Sequence, residues 1–265
     1  MNLSPLAVSL GVAVLLALPA SAQGGGGGGG RGRQRPEEII NRVGVFFTDV
    51  SGPAADGDKV ADLATTELVR AAAGAEQLSV LYLHNGNDEK DVREQFERML
   101  FAGDELGIEL RCFHCGRIDL AKEPALKTKY GDQAPLFVAF DKKGQAGEIV
   151  SMNGYKVAAN ALSKQLEKAA QGVLKPALAT FAKDYAGFVR DLEQALNKKK
   201  LARERYAKAG SDKIKRAEIE KDLKLAESEE EKILAREKEM LEKMRLPERP
   251  ATAQRLGGGR GGWGG

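Results

Sequence analysis

Between Arg42 and Gly172 the hydrophobic positions fall into two kinds of block. Val43-Gly44-Val45-Phe46-Phe47 is a short apolar run that predicts a strand, and Leu78-Ser79-Val80-Leu81-Tyr82-Leu83-His84 is a longer one ending at Asn85-Gly86. A near-continuous run of that kind suits a strand buried on both faces of a parallel sheet. Between these runs, over 59–73, Val60, Leu63, Ala64, Leu68 and Ala71 recur at helical spacing. A second helix starts at Asp88, carries Val92, Phe96, Met99 and Leu100, and gathers acidic residues in its first turn, where the helix dipole favours them.

Further along, residues 108–120 read as an extended segment and 124–130 as a short helix closed by Gly131. Leu136-Phe137-Val138-Ala139-Phe140 is a strand, Asp141-Lys142-Lys143-Gly144 a hairpin turn, 147–152 the returning strand and 157–170 a last helix. The order β-α-β-α-β-α-β-β-α mixes parallel crossovers with one hairpin. It predicts an α/β fold with a mixed sheet and helices on both faces.

The pattern changes at Pro176. Leu178, Phe181, Tyr185, Phe188, Leu192 and Ala195 step by three and four, a heptad stripe. A second stripe, Ile219, Leu223, Ala226, Ile233, Met240 and Met244, is interrupted by Glu230 and Glu237. Ala209-Gly210-Ser211-Asp212 sets a helix stop beside an N-cap signal. An antiparallel helical hairpin and one long kinked helix both fit, and Pro247 and Pro250 end the arm. Its aromatic first half is expected to pack on the globular domain or a partner helix. The charged second half is too poor in apolar residues to stand alone by propensity.

The chain ends add targeting and tether signals. An apolar stretch over 6–18, followed by Pro19-Ala20-Ser21-Ala22-Gln23, reads as a secretory signal peptide with an Ala-x-Ala cleavage site. The run is shorter than the roughly 20 residues a spanning helix needs. The expected mature protein is therefore exported, to a periplasm or outside the cell, without a transmembrane anchor. Seven glycines, Gly24 to Gly30, with the Arg-Gly run after them, and the Gly-rich end carrying Trp263 are too poor in apolar surface to order themselves. The resulting division is a signal peptide over 1–22, a Gly/Arg linker over 23–37, a folded domain over 38–172, the charged arm over 173–247 and a disordered tail over 248–265. With a net charge of +3 and no basic domain, nucleic acid is not an expected partner.

The only two cysteines, Cys112 and Cys115, stand in Arg111-Cys112-Phe113-His114-Cys115-Gly116. In a regular strand over 108–120 they point to opposite faces, with Cα atoms roughly 10 Å apart, beyond the limit of about 7 Å for a disulfide. Only a bulge or turn near Gly116 would bring them together. Four readings stand beside one another: two buried small hydrophobes, the preferred one; a structural disulfide, favoured by an oxidising compartment; a redox centre; and a zinc site formed with His114 and His84. His84 itself ends a buried strand, where it is either a titrating site group or a polar strand terminus. No Ser/His/Asp set, phosphate-binding glycine loop or paired acids stand out, so no cofactor or metal is assigned.

The string Arg117-Ile118-Asp119-Leu120-Ala121-Lys122-Glu123-Pro124-Ala125-Leu126, with Lys129-Tyr130-Gly131, resembles the third strand, loop and short helix of the thioredoxin family. Gln133-Ala134-Pro135-Leu136-Phe137-Val138-Ala139-Phe140 resembles the segment holding that family's cis-proline, and Asp141 to Gly144 its hairpin. The resemblance covers about half the chain and implies a thioredoxin-like fold with a cis peptide before Pro135. It also implies that the redox Cys-x-x-C should follow the central strand and open the next helix, where the dipole favours a thiolate. Here Asn87 and Lys90 occupy those two positions. The expected function is an exported thioredoxin-like protein without the standard redox centre, binding a protein partner or a second copy through its charged arm. The alternative is an atypical thiol–disulfide oxidoreductase using Cys112 and Cys115.

Overall fold

A computed structural model of the chain describes residues 35–53, 62–244 and 246–257. The expected signal segment, the linker up to residue 34, the start of the helix expected over 59–73 and the end of the tail lie outside the described residues. In chain order the elements are α1 (Glu37–Val43), β1 (Val45–Asp49), α2 (Glu67–Gly74), β2 (Ser79–His84), α3 (Lys90–Leu100), α4 (Asp104–Leu110), β3 (His114–Asp119), α5 (Pro124–Tyr130), β4 (Leu136–Phe140), β5 (Val150–Ser151), α6 (Ala159–Ala170), α7 (Leu178–Lys208), α8 (Lys213–Glu242) and β6 (Gln254–Leu256). The fold is α/β.

Six strands form one mixed sheet in the order β5-β4-β2-β3-β1-β6. β1, β2 and β3 run parallel, β4 runs antiparallel to β2 and β5 antiparallel to β4 on one side, and β6 pairs antiparallel with β1 on the other. Side chains alternate across a strand, and the two faces fill separate cores. Val80, Tyr82, Phe137 and Phe47 pack with residues of α3, α4, α6 and α7. Leu81, Leu83, Val138 and Ile118 pack with residues of α2 and α5. All six residues of β2 are buried, so the central strand carries both cores.

Residues 104–120 depart from the extended reading. Asp104–Leu110 is helical, with Asp104 and Glu105 in its first turn, and the chain turns at Arg111 to Phe113 before β3 begins. Leu106, Ile108 and Leu110 alternate as a strand would. The helix shows no polar face because all five residues from Leu106 to Leu110 are buried. Gly107 is what lets α4 sit this deep: a Cβ there would come within 1.9 Å of the Val43 carbonyl oxygen. The backbone break therefore lies ahead of Cys115, not at Gly116. Gly116 stays inside β3, where a Cβ would press on Leu81, Leu68 and Val50.

The arm is a hairpin. α7 and α8 pack antiparallel, turning at Ala209 to Asp212, and the Asp212 carboxylate caps α8 by accepting from the amides of Ile214 and Lys215, each at 3.2 Å. Phe181, Tyr185 and Phe188 are fully buried in the same core as α3, α4 and α6. The hairpin's base thus belongs to the domain. After the hairpin the chain returns to the sheet, where Gln254–Leu256 pairs with β1. This differs from the disordered tail expected from residue 248, since Leu256 and Ala253 have partners despite the Gly-rich sequence that follows.

Candidate functional site

β1, β2 and β3 end together at Asp49, His84 and Asp119, because parallel pairing places His84 beside Asp119 and Asp49 beside Arg117. Crevices at the carboxyl ends of parallel strands are where α/β sheets bind ligands. A cavity of about 450 Å³ opens there, lined by those three residues with Arg93, Arg117 and Lys122.

The carboxylates of this cavity are committed to the fold. Asp119 Oδ1 accepts from the amides of Gly86 at 2.8 Å and Ala121 at 2.9 Å. Burial raises the Asp119 pKa, but these amides outweigh it and hold the acid below its ordinary value. Gly86 is required for the approach, since a Cβ there would lie 2.3 Å from Asp119 Oδ2. Asp49 accepts from Arg117 Nε at 2.7 Å, and Arg117 Nη2 also donates to Gln254 at 3.2 Å. Glu123, at the rim, accepts from the amide of Gly52 at 2.7 Å.

His84 is different. It is 6% exposed, tilts against the Tyr82 ring at 5.5 Å, and its Nδ1 has no hydrogen-bond partner among the described residues. Burial, then the charges of Arg93 and Arg117, lower its pKa to about 4, so the imidazole is neutral at pH 7. Behind it, Tyr82 donates to Glu97 at 3.3 Å, and burial raises the pKa of both.

Of the positions where the resemblance places the redox cysteines, Asn87 lies in the turn after β2 and Lys90 is the first residue of α3. Lys90 pairs with Glu94 at 3.7 Å and is exposed. The peptide before Pro135 is cis.

Cys112 and Cys115 lie elsewhere, and on one face rather than two. The turn after α4 returns Cys112 to the α3–α7 side of the sheet, and Cys115 packs against that same core. Both are free thiols. Cys112 donates to the Ile108 carbonyl at 3.9 Å, and Cys115 to those of Leu110 at 3.3 Å and Phe113 at 3.5 Å. Burial pushes Cys112 up to about 12, and Cys115 is raised as well, by burial first and Cys112 second. Neither is a thiolate at neutral pH. His114 occupies the alternate strand position and bonds Gln77, so it does not join the cysteines. Among the described residues no group of three or more His, Cys, Asp or Glu side chains is placed to hold a metal ion. Cys115 does line a cavity of about 310 Å³ beside Arg111, Phe46 and Arg249. Arg249 closes that cavity, with its guanidinium 3.6 Å from the centre of the Phe46 ring and donating to the Asn41 carbonyl at 3.1 Å.

Arg93, Arg117 and Asp119 were not distinguishable in the sequence, because each is an ordinary charge in its own segment until the parallel register gathers them. Of the cavity's residues only His84, at the end of its apolar run, carried a positional signal. The chain matches no protein-family model, and it has no match among curated proteins.

Proposed function

We propose that this is an exported thioredoxin-like protein without the standard redox centre, and that it works as a binding or scaffolding module. The observation carrying this reading is the separation of the two cysteines from the turn after β2. Their thiols are held protonated in the core, and Asn87 and Lys90 stand where redox cysteines would. The strand order β5-β4-β2-β3-β1, with β4 alone reversed among these five, supports the thioredoxin-like assignment. An oxidoreductase needs an accessible thiolate, and the raised pKa values count against that alternative.

The test is thiol titration of the native protein alongside an insulin-reduction assay. Two thiols that react only after unfolding, with no turnover, are expected. Turnover that is lost in Cys115→Ser would overturn the reading. The arm is the proposed surface for a protein partner or a second copy, because its facing charges are spent across the hairpin while Ile214 and Leu225 are 76% and 66% exposed. Light scattering of the full chain and of the Ile214→Asp/Leu225→Asp variant tests self-association. An assembled full chain and a smaller variant support the second-copy form, and identical masses remove it.

A further inference from the structure

The donors and acceptors left over in the cavity at the ends of β1, β2 and β3 are unbalanced. Its three carboxylates are each bonded within the fold: Asp49 to Arg117, Asp119 to two amides, Glu123 to a third. Arg117 is spent on Asp49 and Gln254. Lys122 reaches Asp119 only at 3.8 Å and is 81% exposed. Arg93, half-buried on α3, makes no side-chain hydrogen bond or ion pair among the described residues, yet it lies close enough to act on His84. His84 brings a neutral imidazole with one ring nitrogen unpartnered, on a residue more than nine-tenths buried.

The geometry points to this cavity as a binding site for a carboxylate, with Arg93 as its charge partner and His84 as a hydrogen-bonding group beside it. A guanidinium presents paired N–H donors that match a carboxylate. The His84 ring lines the cavity wall, so its polar edge lies beside whatever fills it. The volume is that of a small-molecule site. The charge at the rim selects the ligand. Arg93, Arg117 and Lys122 balance Asp49, Asp119 and Glu123 in the lining, so one bound negative charge is matched by the uncommitted Arg93 while a phosphate dianion exceeds it. A chain-terminal or small organic carboxylate meets these conditions. The assignment rests on the binding-module reading, and the two fail separately: insulin turnover would remove that reading and leave the titration below unaffected.

NMR of the full chain, observing the His84 imidazole and the Arg93 Nε–H, tests the site with three probes: N-acetylglycine, N-acetylglycinamide and inorganic phosphate. Saturable shifts at both residues with N-acetylglycine alone are expected. Arg93→Gln should weaken this binding about tenfold or more, with Arg93→Lys intermediate, in variants whose amide spectra show the native fold. Equal shifts with the amide, no saturation with the acid, or undiminished binding in Arg93→Gln would overturn the proposal. Tighter binding of phosphate would overturn the carboxylate assignment.

Discussion

At the residue scale, His84 converts its burial into a dependence of stability on pH. Its pKa is about 4 in the folded chain and 6.5 when unfolded, so between those values the unfolded state binds a proton that the folded state refuses. Its contribution is therefore intact above about pH 6.5 and is lost as pH falls toward 4, by up to about 3 kcal/mol. The groups around it are Arg93 and Arg117, which lower its pKa, and Asp119 and Asp49, which raise it. Other buried acids add slopes of their own, Glu97 and Glu109 in the opposite sense because burial raises their pKa. The comparison is therefore wild type against His84→Gln. Urea unfolding from pH 7 to 4 should show the variant losing less stability, and parallel curves would refute this account. Gly107 gives a second residue-scale expectation. A methyl group there meets the Val43 carbonyl oxygen at 1.9 Å, so α4 or α1 must move, and Gly107→Ala should cost about 2–4 kcal/mol in the same assay.

At the scale of elements, the hairpin shows what the two interrupting glutamates do. The α8 seam steps by four and three through Ile219, Leu223, Ala226, Glu230, Ile233, Glu237, Met240 and Met244. Continued in the same steps, the α7 seam reaches Lys199. Glu230 meets Lys199 at 2.6 Å, and both side chains are at most 20% exposed. Glu237 accepts from Tyr185, also in the α7 seam, and forms a two-pronged pair with Arg42 of α1 at 2.8 and 2.9 Å. Arg111 donates to the same Tyr185 hydroxyl, which ties the turn after α4 into the network. Each polar seam position thus faces a polar partner, and a slip of one heptad would bury both charges unpaired. Glu230→Lys should cost about 2 kcal/mol or more, and the exchange Lys199→Glu/Glu230→Lys should recover most of it. A double variant no better than the single would show that the pair does not set the register.

The elements most legible in the sequence were those whose burial is one-sided or complete over a short run. β2 shows as seven residues ending in Asn85-Gly86, and the α7 stripe shows because its opposite face is charged. α4 was illegible for the opposite reason. With α1, α6, α7 and β1 packed around it, its periodicity is erased. β6 was hidden because three residues, Gln254–Leu256, carry no pattern of their own, and their strand identity comes entirely from the edge of β1. The site followed the same rule. His84 could be singled out at a strand end, whereas Arg93 and Arg117 acquire meaning only once α3 and β3 are brought to it.

At the scale of the whole molecule, the last described residues complete a sheet begun by the first strand. Arg35 reinforces this closure by holding Asp104 at 2.7 Å and Glu193 at 2.9 Å, so residues before α1 are fastened to both α4 and α7. A chain ending at Pro247 would lose β6, the buried Leu256 and the contact of Arg249 with Phe46. It would also leave the β1 edge unpaired, and exposed edges recruit other chains. Light scattering should show concentration-dependent aggregates, and thermal unfolding a Tm lower by several degrees. A monomer with an unchanged Tm would show that β6 is dispensable.

The pairing of β1 with β6 also sets an order of events. Partners separated by about 200 residues cannot meet until the chain between them has been made, and contacts that distant are slow to form. A chain emerging from a ribosome would therefore hold β1 with one side open until the segment carrying Gln254–Leu256 is released. The β6 segment is then the last piece of this sheet to dock, and whatever holds Gln254–Leu256 away from β1 delays the closing of that edge.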